Sequence, residues 1–169
     1  MEARSTQEIG GHEKLVGVAG PKPLWSHPQP DEEWSAEMAA LGLATIKSSY
    51  GPQETMDRLE AAVKAKGMTV FARIDHSAGA SAVGLPLNPT EVLIFGNAKG
   101  GTPLMQSVQT IGIDLPLKAL VWQDGSGDTW LSYNDPAWLA KRHGLSGTEA
   151  PIGNLAAALD AVAKAATAG

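Results

Sequence analysis

The 169-residue chain contains no cysteine. That removes disulfides, thiolate nucleophiles and iron–sulfur ligation together. Any metal would have to be held by His and carboxylates, yet His12, His27, His76 and His143 show no ligand spacing such as His-x-x-x-His; no metal site is expected. No apolar run reaches the roughly 18 residues needed to span a bilayer, so no membrane insertion is expected. The opening Met-Glu-Ala-Arg-Ser-Thr-Gln-Glu lacks the basic start, apolar middle and small-residue cleavage site of a secretory signal, and the expected location is cytoplasmic.

A surplus of positive charge is missing too. The formal net charge is −5, with three Lys/Arg against seven Asp/Glu in residues 1–40, nine against nine in 41–145, and one against two in 146–169. A neutral middle lacks the basic footprint of a nucleic-acid binder, and no nucleic-acid partner is expected. The glycines follow neither the Walker nor the dinucleotide pattern, and no serine sits in a nucleophile elbow. No cofactor is indicated by any motif.

What remains is globular: 43% apolar and 18% charged residues, in a length that suits one domain. Residues 1–40 read as an acidic Pro/Gly-rich arm, with Pro21, Pro23, Pro28, Pro30 and the run Asp31-Glu32-Glu33. Leu24, Trp25 and Trp34 are apolar anchors that a fully solvated tail would not need, and they suit docking on the domain or on a partner.

From Leu43 the periodicities sharpen. A short strand over 43–49 precedes Gly51-Pro52, which opens a helix carrying Met56, Leu59 and Val63 and stopped by Gly67. Residues 68–75 alternate, with Met68, Val70, Ala72 and Ile74 on one face and Thr69, Phe71, Arg73 and Asp75 on the other. A short helix is expected over 77–83, an apolar strand over 90–95, and a short helix over 102–108. Strands over 116–123 and 128–133 form a hairpin around Asp124-Gly125-Ser126-Gly127. Asp135-Pro136 caps a helix ending at Gly144, and an Ala-rich helix covers 154–166.

The blocks Ile74-Asp75-His76-Ser77-Ala78-Gly79-Ala80, Pro89 through Met105, Leu115-Pro116-Leu117-Lys118 and Ser132-Tyr133-Asn134-Asp135-Pro136 stand in an order that resembles the bacterial and archaeal family called domain of unknown function 302. The resemblance covers about residues 42–145. Ala98 departs from it, where Pro is the commoner residue. It implies a single α+β domain over 41–145, similar to the TATA-box-binding-protein-like folds, with helices packed on one face of a curved, mainly antiparallel sheet of about five strands. It also implies a homodimer. It leaves the arm, and the Ala-rich helix within 146–169, outside, and it carries no agreed activity.

Three functions fit these residues. The first is binding of a small polar or anionic molecule at the Gly-rich loop by Asn97, Lys99, Gly101 and Thr102, with Asp75 and Asn134 nearby. Gly96, Gly100 and Gly101 leave backbone N–H groups open after a strand, although the same residues equally suit a plain strand-to-helix turn with Thr102 as N-cap. The second is acid–base catalysis by His76, tuned by Asp75, with Lys118 or Tyr133 as electrostatic stabiliser. It requires His76 to face the loop. Lys118 lies in an apolar strand, either paired with Tyr133 or Asn134, or facing solvent. The third is an assembly role through the arm. Trp122, Trp130 and Trp138 suit either a flat ligand or a core.

Overall fold

A computed structural model describes residues 39 and 41–169; the expected arm, with Leu24, Trp25 and Trp34, lies outside them. The described chain runs β1 (Leu43–Lys47), α1 (Pro52–Ala65), β2 (Thr69–Asp75), α2 (His76–Ala82), β3 (Thr90–Gly96), α3 (Ala98–Ser107), a 3-10 turn (Gln109–Ile113), β4 (Leu117–Gln123), β5 (Thr129–Asn134), α4 (Pro136–Arg142) and α5 (Glu149–Thr167). The five strands form one sheet in the order β1-β5-β4-β3-β2, and every neighbouring pair is antiparallel. This is the expected α+β class.

The core lies between the sheet and the pair α1 and α5. Pro52 takes the first turn of α1, where its missing N–H is not needed, and the three-four spacing of Met56, Leu59 and Val63 buries one stripe completely. Leu93 and Phe95 of β3, Leu117, Ala119 and Val121 of β4, and Leu131 of β5 meet that stripe. On α5, Leu159, Val162, Ala163 and Ala166 complete the core. The small side chains let the two helices approach closely. Arg58 of α1 lies 4.0 Å from the Tyr50 ring and donates to the carbonyls of Ala165 and Ala168 at 3.3 Å, tying α1 to the C-terminus of α5.

The helices over 52–65 and 136–142 match their sequence signals. α3 does not. It starts at Ala98 rather than 102, because the Asn97 side chain accepts the Gly100 N–H at 2.7 Å and acts as N-cap. Pro103 therefore sits inside the helix, where its missing N–H leaves the Lys99 carbonyl without its i+4 donor, and Thr102 is not the cap. α5 likewise begins five residues before the sequence suggests, at Glu149.

β2 carries a bulge between Val70 and Ala72, which reverses the expected alternation. Val70 lies opposite Phe95 and packs on the core, whereas Arg73 lies opposite Leu93 and so reaches the helix side. There Arg73 binds both carboxylate oxygens of Glu91, Asp57 at 2.6 Å and Glu60 at 3.2 Å. The guanidinium and its hydrogen bonds hold the Asp57 carboxyl below its ordinary value. Lys64, followed by Arg73, does the same for Glu60.

The Asp124 turn is a hairpin as expected. Its buried carboxylate accepts N–H bonds from Ser126 at 2.8 Å, Asp128 at 3.0 Å and the Trp130 indole at 2.8 Å. Burial alone would raise its pKa, but these bonds outweigh it and leave the group below the ordinary value. At the other end of β4, Asp114 and His143 meet at 2.7 Å, pinning the turn after the 3-10 segment to the end of α4.

Two predictions follow from the packing. Gly42 has φ +78, and a Cβ there would overlap the Trp138 ring, so Gly42→Ala should lower unfolding stability in urea by at least about 2 kcal/mol, against under about 0.5 kcal/mol for Lys66→Ala. Because Asp57, Glu60 and Asp124 are all held below their ordinary values, the stability they add is present above the ordinary carboxylate range. It is lost as pH falls through the lowered folded values. A urea midpoint series from pH 6 downward should show this loss, and Arg73→Met should flatten chiefly the part due to Asp57, since Lys64 still holds Glu60.

Candidate functional site

The end of β3 carries the Gly-rich segment onto α3, and beneath it lies a cavity of about 500 Å³. Gly96, Asn97, Lys99, Gly100 and Gly101 form one wall. Met68 and the bulged Phe71 of the β2 edge form the second. Leu115, Pro116 and Leu117 contribute a third, and Pro151, Asn154, Leu155 and Ala158 of α5 close the side opposite the loop. Pro103 and Met105 of α3 complete it. The lining is mostly apolar, with a few polar groups at Asn97, Lys99 and Asn154. That mixture is typical of sites that hold an organic ligand by its body and orient it by its end.

The glycines here offer few open donors. A Cβ on Gly101 would stand 3.6 Å from Leu115 and 3.8 Å from Met105, ordinary contact distances, whereas one on Gly100 would come within 3.2 Å of the Asn97 side chain that caps α3. The Gly100 N–H is bonded to the Asn97 side chain and the Gly101 N–H to the Asn97 carbonyl at 3.2 Å. Two of the amides that the sequence offered to an anion are therefore occupied. Lys99 is exposed and lines the cavity, and among the described residues it is the charged side chain of the lining.

The residues singled out from sequence are dispersed over the domain. Asn97, Lys99 and Gly101 line the cavity. Thr102 is exposed on α3 just outside the lining. Lys118 alternates with buried Leu117 and Ala119, so it points to the other face of the sheet; it donates to the carbonyls of Asp114 at 3.3 Å and Pro116 at 3.2 Å. Asn134 borders the same shallow recess as Lys118, and Tyr133 lies at its edge. Tyr133 pairs with Ala119 and therefore projects to the helix side, opposite to Lys118. It borders a recess with Pro136 and Asp160, where burial, then the Asp160 charge, raise its phenol above the ordinary value. Of the alternatives open for Lys118, the pairing with Tyr133 does not form, and the side chain is exposed.

Asp75 and His76 stand elsewhere. Asp75 pairs with Glu91 at the start of β3, while the loop leaves from Gly96 at its end, roughly 17 Å along the strand at the usual antiparallel rise. Asp75 caps α2, accepting the Ala78 N–H at 2.8 Å and the Ser77 hydroxyl at 2.5 Å. The Ser77 bond is the main reason its carboxyl lies below the ordinary value. His76 is the exposed first residue of α2 and does not face the loop. The tryptophans share no pocket: Trp122 and Trp130 stack at 6.2 Å, and Trp138 lies under Arg142 at 5.6 Å. Among the described residues no group of three or more His, Asp or Glu could hold a metal.

The cavity residues that sequence reading missed are mostly apolar, among them Met68, Phe71, Met105, Leu115, Leu155 and Ala158, and the polar one is Asn154. Leu155 was legible as part of a helical stripe, but nothing in the sequence says that this stripe runs past the core onto the loop. No signal marks the bulge that turns Phe71 toward the cavity.

Comparison with known proteins agrees with this architecture. A crystal structure of an uncharacterized conserved DUF302 protein from Bacillus stearothermophilus superposes with a TM-score of 0.68 at 22% identity, covering 75% of this chain and 98% of that one, which shows a shared fold. Proteins named fluoride-specific ion channel FluC 1 from Brucella suis and FluC 2 from Brucella melitensis are each 54% identical over 110 residues, 65% of this chain. The chain spans about two fifths of their length (43% and 41%). The model of a further family match covers residues 44–165 and so includes most of α5, which the sequence resemblance left outside. On that match, this chain belongs to the family described as domain of unknown function DUF302.

Proposed function

We propose that the chain is a ligand-binding module whose site is the cavity beneath the Gly-rich turn. The observation that carries this reading is the cavity itself. About 500 Å³ lies within the range of small-molecule pockets, and it joins the loop to α5 and the β2 edge. The lining refines the sequence expectation: the occupant needs an apolar body as well as a polar end. Acid–base catalysis by His76 draws no support from its place at the far end of the sheet.

The Brucella proteins give this reading a setting. No helix among the described residues is long and apolar enough to cross a membrane. The stretch shared with those proteins then reads as a binding module carried beside their ion-conducting part, and this chain as a module of the same kind.

Self-association is a second part of the proposal, favoured by the sheet face turned away from α1 and α5. Val92, Ile94, Leu120 and Trp122 alternate onto that face half-buried, and Ile74 there is 42% exposed. At strand spacings of about 4.8 Å the face measures some hundreds of Å², the low end of what a specific dimer buries per partner. Sedimentation velocity should show a concentration-dependent dimer that Leu120→Glu converts to monomer. A monomer at all concentrations would contradict this part.

The cavity is tested with N-phenyl-1-naphthylamine, a neutral apolar fluorophore. The protein should give a saturable fluorescence increase, and Ala158→Trp should weaken binding at least tenfold with near-ultraviolet circular dichroism retained. Unsaturable fluorescence, or binding indifferent to Ala158→Trp, would defeat the reading.

A further inference from the structure

The cavity lining says more about its occupant than size alone. Its walls are unusually soft: Met68, Met105, Leu115, Leu117 and Leu155 are flexible thioether or branched aliphatic side chains, and Phe71 is the aromatic among the lining residues. Such walls follow a bending aliphatic chain better than they clasp a flat ring, which would need stacking partners on both sides. Among the described residues no carboxylate belongs to the lining, and the cation there, Lys99, has no carboxylate partner.

A single ammonium at the rim sets the charge of the occupant's end. It can balance one negative charge; a phosphate dianion would find half of its charge unmatched, and the Gly100 and Gly101 N–H groups that might share it are taken by Asn97. Asn154, exposed on α5 and also lining the cavity, adds a neutral polar group. Resting on the cavity reading above, we infer that the site takes a single-chain monoanionic amphiphile free in solution, an aliphatic carboxylate or sulfonate, with its chain between Phe71 and Leu155 and its head at Lys99.

The test measures displacement of N-phenyl-1-naphthylamine by decanoate, decanol and decyltrimethylammonium, each below its micelle concentration, with calorimetric titration of decanoate as a second readout. Decanoate should bind about threefold or more tighter than decanol, and decyltrimethylammonium weakest, as befits one solvent-facing charge pair. Lys99→Glu, an exposed change that leaves the core untouched, should reverse the order of the two ions. Ala158→Trp should abolish binding of all three. Equal binding of decanoate and decanol, unchanged by Lys99→Glu, would overturn the inference while leaving the cavity reading intact. Absence of any fluorophore or decanoate binding would overturn both. Binding to phosphatidylglycerol vesicles without displacement by decanoate would likewise overturn it, by pointing to a membrane surface instead.

Discussion

The packing of α5 on α1 is the contact on which the remainder of the structure depends. An antiparallel sheet with one apolar face needs a cover, and α1 alone is one helix wide. Leu159, Val162, Ala163 and Ala166 of α5 supply the second half of that cover. Toward its N-terminus the same helix carries Leu155, packed at the edge of the core, with Pro151, Asn154 and Ala158, and there it forms a wall of the cavity. One helix thus completes the core and frames the site. Any ligand held in the cavity would touch an element whose position is set by the folding of the whole domain.

Much of the fold was legible because its signals are local. Gly51-Pro52 with Met56, Leu59 and Val63 specifies a helix and its buried stripe, and Asp124-Gly125-Ser126-Gly127 specifies a hairpin, from neighbours alone. The failures share one cause. The bulge after Val70 depends on how β2 fits the register of β3, and the early start of α3 depends on Asn97 outcompeting Thr102 as a cap. Both are decided by contacts or geometry that periodicity does not encode.

The candidate site was half legible for the same reason. The Gly-rich loop drew attention as a loop, and of the four residues expected in it to bind a ligand three, Asn97, Lys99 and Gly101, do line the cavity. The polar residues grouped with it from other strands were scattered by alternation: Lys118 and Tyr133 are on adjacent strands, but their side chains leave opposite faces of the sheet. Polar side chains are conspicuous in a sequence, whereas apolar walls look like core. Phe71, Leu155 and Ala158 could be told from core only once the sheet and α5 were in place. The resulting site is more apolar than the sequence led one to expect, and its polarity is concentrated at one end.

The central claim, that ligand binding occurs under the Gly-rich turn, is tested most directly by mapping. Amide resonances of the ¹⁵N-labelled chain, followed during titration with N-phenyl-1-naphthylamine, should shift at Phe71, Gly100, Gly101, Asn154 and Ala158 and stay still at His76. Shifts confined to Val92, Leu120 and Trp122 on the opposite face of the sheet, or centred on His76, would contradict the account.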